Sequence, residues 1–187
     1  MNELISVIVI IVLLLVIFLY YEKKYSELTF VKSSVDNKKY LVRNRKDRME
    51  GANLLANLNT KIQEIIQFSK KEKIFMRLIK KYDPENISES LSSSRYTSYS
   101  VNKGDKIVFC IRSKDKKQEL IDINTLTFVA IHELAHIESK SIGHTKEFWD
   151  NMRELLKIAI ELGVYKETDY KTMPVKYCGI DITSSPL

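Results

Sequence analysis

The chain has 187 residues, a formal net charge of +6 and two cysteines. Two cysteines are too few for a disulfide-stapled scaffold and suit a reducing compartment, although a single bridge between Cys110 and Cys178 stays open as an alternative. The positive charge permits contact with nucleic acid or an anionic membrane, but the lysines are spread along the chain and mixed with acidic residues, which favours a solvated surface.

The first predicted element is a transmembrane helix at residues 4–21. The segment LISVIVIIVLLLVIFLYY contains one serine and no charged side chain. As a helix it would extend about 27 Å, close to the hydrocarbon thickness of a bilayer. A cleaved signal peptide is the alternative, but no basic segment precedes these residues and no small-x-small cleavage site follows them. The sequence therefore predicts a membrane anchor at residues 1–24 and one globular domain at residues 25–187.

The residues that flank the anchor predict its orientation. Lys23 and Lys24 follow it directly, whereas the other flank offers Asn2, Glu3 and the terminal amine. Positive charge favours the cytosolic side, so we expect the domain to face the cytosol, on a host membrane or on a virion membrane if the source is viral. The Lys-, Ile-, Asn- and Tyr-rich composition is typical of AT-rich genomes, including those of large DNA viruses. The sequon at Asn86 is then expected to stay unglycosylated.

Short strands and one or two helices are predicted between the anchor and the middle of the chain. A first hairpin turns at Asp36-Asn37. Apolar residues at helical spacing then predict helix over residues 47–81, either continuous or broken at residues 69–73. A polar loop follows, and it leads into a second hairpin that turns at residues 102–105 and has a buried strand at residues 107–111.

All three histidines lie within the short stretch AIHELAHIESKSIGHTKEFW. Asn124 or Thr125 can cap a helix that runs through LTFVAIHELAHIES. Apolar side chains cover almost the whole circumference of this helix, which predicts that it is buried. His132 and His136 are one turn apart, so both imidazoles project from the same face and can converge on one ion.

The letters HELAH follow the pattern HExxH. In this motif the two histidines, His132 and His136, are interpreted as zinc ligands, and Glu133 between them as a general base. Zinc in a catalytic site takes three protein ligands and leaves the fourth position to water, so one further ligand is needed.

His144 is the candidate for that third ligand. It follows a glycine, which allows the chain to reverse, and it precedes Thr145, a plausible N-cap for an amphipathic helix at about residues 146–162. Glu147 and Glu154 on that helix are the alternatives, because some zincins take a glutamate from a later helix.

The stretch HELAHIESKSIGHTKEFW resembles the SprT/WLM group of zinc metallopeptidases, whose motif is HExxH, a short linker, then Gly-His and an aromatic residue. The metzincin pattern fails, because here the third histidine comes too late after the second. The resemblance implies an α+β fold: a small zincin-like domain with a few antiparallel strands, an HExxH helix and a following amphipathic helix, here behind one transmembrane helix. The matching residues are His132, Glu133, His136, Gly143, His144 and Phe148.

The sequence thus predicts a membrane-tethered, zinc-dependent metallopeptidase that hydrolyses peptide bonds of a protein or peptide substrate. His132, His136 and His144 would bind Zn²⁺, which activates a water, and Glu133 would be the catalytic base. Tyr177 is the tyrosine that we favour as a second donor to the oxyanion. The alternatives are a non-catalytic, membrane-anchored zinc-fold binding protein and a DNA-stimulated protease; contact with nucleic acid is possible but not favoured.

The chain departs from the family in one respect. Members linked to repair of DNA–protein crosslinks are soluble and carry zinc-finger or partner-binding segments, so the predicted anchor argues against that role.

Cys178 could reach the zinc as an inhibitory thiolate, but an inert cysteine is the favoured interpretation.

Overall fold

A computed structural model describes the backbone of residues 2–187 and the side chains of residues 4–22 and 27–187. The fold is α+β, as predicted. Its elements in chain order are α1 (Asn2–Ser26), β1 (Leu28–Lys32), β2 (Lys39–Arg43), α2 (Arg48–Glu72), α3 (Met76–Lys81), β3 (Ile87–Glu89), β4 (Ser98–Val101), β5 (Lys106–Phe109), α4 (Ile123–Glu138), α5 (Lys146–Glu161), β6 (Val175–Tyr177) and β7 (Ile180–Ile182).

Helix α1 has no part in the core. Its apolar window, Leu4–Glu22, buries none of its residues against the rest of the protein. An apolar helix that stays outside the core is explained by a membrane anchor or by a signal sequence, and it is too long and too uniformly apolar for an exposed helix in water.

The five-stranded sheet has the order β1-β2-β3-β5-β4. Both predicted hairpins are present and antiparallel: β1 pairs with β2, and β4 pairs with β5. Strand β3 lies in the segment that was predicted to be a polar loop. It pairs in parallel with β2 on one side and β5 on the other. The sheet is therefore mixed, and β4 is one of its edges.

One face of the sheet is covered by two helices. Helix α2 lies over β1, β2 and β3, α4 lies over β4, and the two helices contact each other. Leu55, Leu58 and Ile62 of α2 are buried in this layer, as their helical spacing predicts. Helices α3 and α5 pack against α4. The break between α2 and α3 lies at Lys73 and Phe75, both with positive φ, and begins at the last residue of the predicted joint.

A buried ion cluster joins β2, β3 and the segment after β5. The Arg112 Nε donates to Glu89 Oε1 at 2.9 Å, and both side chains are fully buried. The backbone N–H of Arg43 donates to the other Glu89 oxygen at 2.7 Å, and its guanidinium Nε lies 3.3 Å from Glu89 Oε1. Arg112 also pairs with Asp47 at the start of α2. Burial raises the pKa of Glu89, and the charges of Arg112 and Arg43 act against that rise.

The hairpin β6–β7 follows α5 and is linked to the sheet by a disulfide. Cys178 lies at its turn and is bonded to Cys110, which directly follows β5. Neither cysteine is free. The single bridge that was the alternative is therefore present, and Cys178 is not a zinc-binding thiolate. A separation of 68 residues hides this pairing in the sequence.

Replacing Glu89 with alanine should lower the free energy of unfolding by about 3–5 kcal/mol, because Arg43 and Arg112 would keep buried charges without their shared carboxylate. Urea denaturation of the variant and the wild type measures this loss. Glu85→Ala is the matched control: its carboxylate pairs with Lys38 at the surface and its side chain is 62% exposed, so the loss should stay below about 1 kcal/mol. Equal losses in the two variants would contradict the prediction.

Candidate metal centre and substrate cleft

Helix α4 carries two of the three histidines. It begins at Ile123, and its N-cap is Asp122, whose carboxylate accepts hydrogen bonds from the backbone N–H groups of Asn124 and Thr125. The prediction that Asn124 or Thr125 is the cap was wrong: these two residues donate to the capping side chain that precedes them. The helix is buried along most of its length, as predicted.

The three histidines converge on one point. The Nε2 atom of His132 lies 3.2 Å from Nε2 of His136 and 3.1 Å from Nε2 of His144. Two nitrogens that each lie 2.0–2.1 Å from a tetrahedral zinc ion are about 3.3 Å apart, so the spacing fits such an ion. Within the described part of the chain, these three side chains are the group that could share a metal ion.

The imidazoles of His132 and His136 are held in the neutral form, which is the form that binds a metal. Burial first, and the charges of the neighbouring imidazoles second, lower the pKa of His132 to about 3. Burial likewise lowers the pKa of His136 to about 4, with smaller contributions from His144 and Lys103. Near neutral pH these rings therefore keep a lone pair free for a ligand bond.

Phe148 of α5 lies beneath all three imidazoles. Its ring centroid is 4.8 Å from that of His132, 4.3 Å from that of His136 and 4.7 Å from that of His144. The side chain is fully buried, and Thr145 caps the helix that carries it by accepting from its backbone N–H. The aromatic residue of the motif thus fixes the orientation of the three rings.

The loop between α4 and α5 is held by Lys103, which the sequence analysis did not single out. Its Nζ donates to the carbonyl oxygens of Ser139, Lys140 and Ser141 at 2.6, 2.9 and 2.8 Å. A lysine in a polar turn gives no sequence signal for this role. The cation satisfies carbonyls at the C-terminal end of α4 and fixes the chain just before Gly143 and His144.

The two alternative zinc ligands are engaged elsewhere. The Glu147 carboxylate accepts from the backbone N–H groups of Lys140 and Ser141 at 3.0 and 3.1 Å, and these bonds lower its pKa to about 2. Glu154 pairs with Lys157 on the surface of α5. Neither carboxylate belongs to the histidine group.

Glu133 lines the same cleft as the histidines and is only 5% exposed. Its carboxylate accepts a hydrogen bond from the backbone N–H of Ser100 on the edge strand β4, which acts against the effect of burial. Burial is the larger influence and raises the pKa of Glu133 to about 7.

Tyr177 of β6 lines the same cleft. Its side chain is buried, and its hydroxyl lies 2.6 Å from Ser98 Oγ on β4. Burial raises the pKa of Tyr177, and the charge of Glu133 adds to the rise, which places the two groups within electrostatic reach. The structure thus brings the predicted tyrosine to the cleft that holds Glu133 and the histidines.

The cleft has a volume of about 610 Å³. Strand β4 forms one side, and the β6–β7 hairpin with the residues after it forms another. Apolar side chains beside the histidines complete the lining: Phe128, Val129, Ile142, Trp149, Met152 and Ile182.

Comparison with known proteins identifies the domain. The model of the WLM domain family matches residues 33–177. An uncharacterised protein of Acanthamoeba polyphaga mimivirus is 33% identical over 169 residues, which cover 86% of this chain and 85% of that protein. An uncharacterised protein of Invertebrate iridescent virus 6 is 42% identical over 84 residues, or 43% of this chain and 44% of that protein.

Two solved structures share the fold. The crystal structure of Wss1 from Saccharomyces cerevisiae superposes with a TM-score of 0.53 at 19% identity and covers 66% of this chain and 88% of its own. A Wss1 mutant gives a TM-score of 0.52 over 66% of this chain and 92% of its own. The family model and the mimivirus relative together show that this chain belongs to the WLM domain family.

Proposed function

We propose that this chain is a zinc-dependent metallopeptidase that hydrolyses peptide bonds and is tethered to a membrane by α1. Membership of the WLM domain family supports a protease-type function. The observation that supports zinc-dependent hydrolysis is the histidine cluster beside the buried carboxylate of Glu133. The Nε2 atoms of His136 and His144 lie 3.2 and 3.1 Å from Nε2 of His132.

The three histidines would hold the ion through neutral nitrogens. When bound, zinc supplies a Lewis acid that lowers the pKa of a water toward neutrality and polarises the scissile carbonyl. Glu133 suits the part of general base, because a carboxyl group with a pKa of about 7 can accept a proton and release it again at neutral pH. It would take a proton from the attacking water and pass it to the leaving amine.

The cleft suits an extended peptide. Strand β4 is an edge of the sheet and lines the cleft, and an edge strand can bind a substrate backbone by main-chain hydrogen bonds. Phe128, Val129 and Met152 lie close to the histidines and offer apolar contact to a substrate side chain.

Tyr177 supplies the second group that the reaction requires. Its hydroxyl lies on the cleft wall with Ser98 as its hydrogen-bond partner, so it can turn its proton toward a carbonyl oxygen in the cleft while Ser98 donates to it. We assign it the role of donor to the oxyanion that develops on that carbonyl.

Helix α1 is proposed to be the tether, with the catalytic domain on the cytosolic side. The apolar window and its lack of burial support the tether. The two lysines that follow the span support the orientation. Disulfides are rare in reducing compartments, so the Cys110–Cys178 bridge is the one feature that argues for the opposite side.

The variant Glu133→Gln should retain zinc and lose peptide hydrolysis by about 10²–10⁴-fold, because the amide keeps the shape of the side chain but cannot accept the proton. Bound zinc and cleavage of a denatured protein substrate are measured on the purified full chain. Glu154→Gln, which changes an exposed carboxylate on α5, is the control and should keep full activity. Unchanged activity in Glu133→Gln, or purified wild type without zinc, would contradict the proposal. Wild type that binds zinc but cleaves no substrate would favour the non-catalytic binding protein.

Replacing His144 with alanine should weaken zinc binding by more than about 100-fold, because two nitrogens remain where three converge. Competition with a chelator measures the affinity. Lys146→Ala, a neighbouring change at an exposed position, is the control and should bind zinc normally. If His144→Ala bound zinc with full affinity, an acidic residue would have to be the third ligand.

The full chain translated in the presence of microsomes should remain membrane-bound at its full mass of 21.8 kDa without a glycan at Asn86. Asn86 is exposed, so the sequon is reachable if the domain enters the lumen. A chain in which a cleavable signal peptide replaces α1 is the positive control and should be glycosylated. A glycan on the native chain would show that the domain faces the lumen. Loss of the N-terminal segment would show that α1 is a cleaved signal sequence.

A further inference from the structure

The wall of the cleft that carries Tyr177 is a separate β-hairpin. Strands β6 and β7 pair with each other and are not part of the five-stranded sheet. Tyr177, Cys178 and Ile182 of the hairpin are buried in the core. Specific links to the sheet side are the hydrogen bond between Tyr177 and Ser98 of β4 and the disulfide of Cys178 with Cys110, which follows β5.

Both ends of the Tyr177–Ser98 hydrogen bond lie next to a cysteine of the bridge. Cys178 directly follows Tyr177 in the chain. Ser98 faces Phe109, the residue before Cys110, in the β4–β5 ladder, and its Oγ accepts from the Cys110 backbone N–H at 3.2 Å. The disulfide therefore joins the two backbone segments that lie beside the Tyr177–Ser98 hydrogen bond.

The backbone at the hairpin turn also points to a need for this cysteine. Cys178 has a φ of 49°, in the left-handed region that a residue with a side chain adopts at a cost. Gly179 beside it has a φ of 89°. Glycine or asparagine is the usual choice at such a turn, so a cysteine at this position indicates that the side chain itself is required.

We propose that the Cys110–Cys178 bridge positions Tyr177 against Ser98 in the cleft and thereby makes peptide hydrolysis depend on the oxidation state of the two cysteines. This inference rests on the proposed peptidase function. Tyr177 is the residue that touches substrate, and the two cysteines and Ser98 are positioning residues. Once the bridge is open, the hairpin keeps one link fewer to the sheet and the hydroxyl is no longer held in one place.

The chemistry of opening is a two-electron reduction. A phosphine breaks the S–S bond, the two sulfurs become thiols with protons from water, and the phosphine leaves as its oxide with the oxygen of that water. In a reducing compartment the dithiol would be the resting form. A small-molecule disulfide would re-form the bridge by thiol–disulfide exchange and would leave as two thiols. Cytosolic disulfides are usually of this transient or redox-sensing kind.

A double-mutant cycle on the full chain tests the proposal. The variants are the bridge-free Cys110→Ala/Cys178→Ala, Tyr177→Phe, and their combination, each assayed for bound zinc and for kcat and KM with a fluorogenic peptide. We expect zinc to be retained in all, kcat to fall about 10²-fold or more in Tyr177→Phe, and kcat to fall at least about 10-fold without the bridge. Removing the bridge should cost nothing further in Tyr177→Phe, because the tyrosine it positions is already absent.

Two outcomes would overturn the proposal. An unchanged kcat in the bridge-free variant would mean that the bridge positions nothing. Independent, multiplicative losses of kcat from the bridge and from Tyr177 would show that the bridge affects turnover by a route other than Tyr177. Tyr40→Phe, which also removes a buried hydroxyl bonded to two partners but lies away from the cleft, is the matched control and should keep its kcat.

Ser98→Ala provides a second route if the bridge-free variant does not fold. It breaks the hydrogen bond and leaves the disulfide in place, so kcat should fall and the loss should again vanish in Tyr177→Phe. Phosphine treatment of wild type should lower kcat while zinc stays bound, and the same treatment should not affect the bridge-free variant. Equal loss in both would overturn the redox dependence. A wild type without zinc or without hydrolysis would instead be a failure of the proposed function itself.

Discussion

The packing of α4 between the edge of the sheet and α5 is the constraint on which the site depends. Two imidazoles on one face of a buried helix lose hydration, which lowers the pKa values of His132 and His136 and leaves their nitrogens free to bind an ion. The same burial raises the pKa of Glu133 to about 7. One packing arrangement therefore keeps two imidazoles neutral and gives a buried carboxyl group that titrates near neutrality.

The third histidine depends on a different kind of interaction, since His144 is exposed and lies in a loop. Its place is fixed by charged side chains on either side of that loop. Lys103 binds three successive carbonyl oxygens, and Glu147 binds the N–H groups of two of the same residues. The loop backbone is thus held by a cation and an anion at once, while Phe148 supports the ring from below.

Local patterns allowed the main features to be predicted from the sequence. Both sheet hairpins and the helices follow from spacing along the chain. The α+β fold follows from the family resemblance, and HExxH followed by Gly-His identifies the three histidines. Long-range partners were missed. Strand β3 contains Ser88 and Glu89, which resemble a loop, and Glu89 is buried only because Arg112 and Arg43 reach it from other segments. The roles of Lys103 and the disulfide likewise become visible only when distant segments meet.

The disulfide and the predicted orientation of the anchor constrain each other. If the domain faced an oxidising space, the bridge would form once and act as a permanent staple, and the cleft wall with Tyr177 would always be in place. On the cytosolic side, which Lys23 and Lys24 favour, the same pair of cysteines would be kept reduced until an oxidant reached them. A disulfide that only stabilised the fold would need no hydrogen-bonded connection to the hydroxyl of Tyr177. The hydrogen bonds of Ser98 to both Tyr177 and the Cys110 backbone give the bridge that coupling, which fits a switch better than a staple.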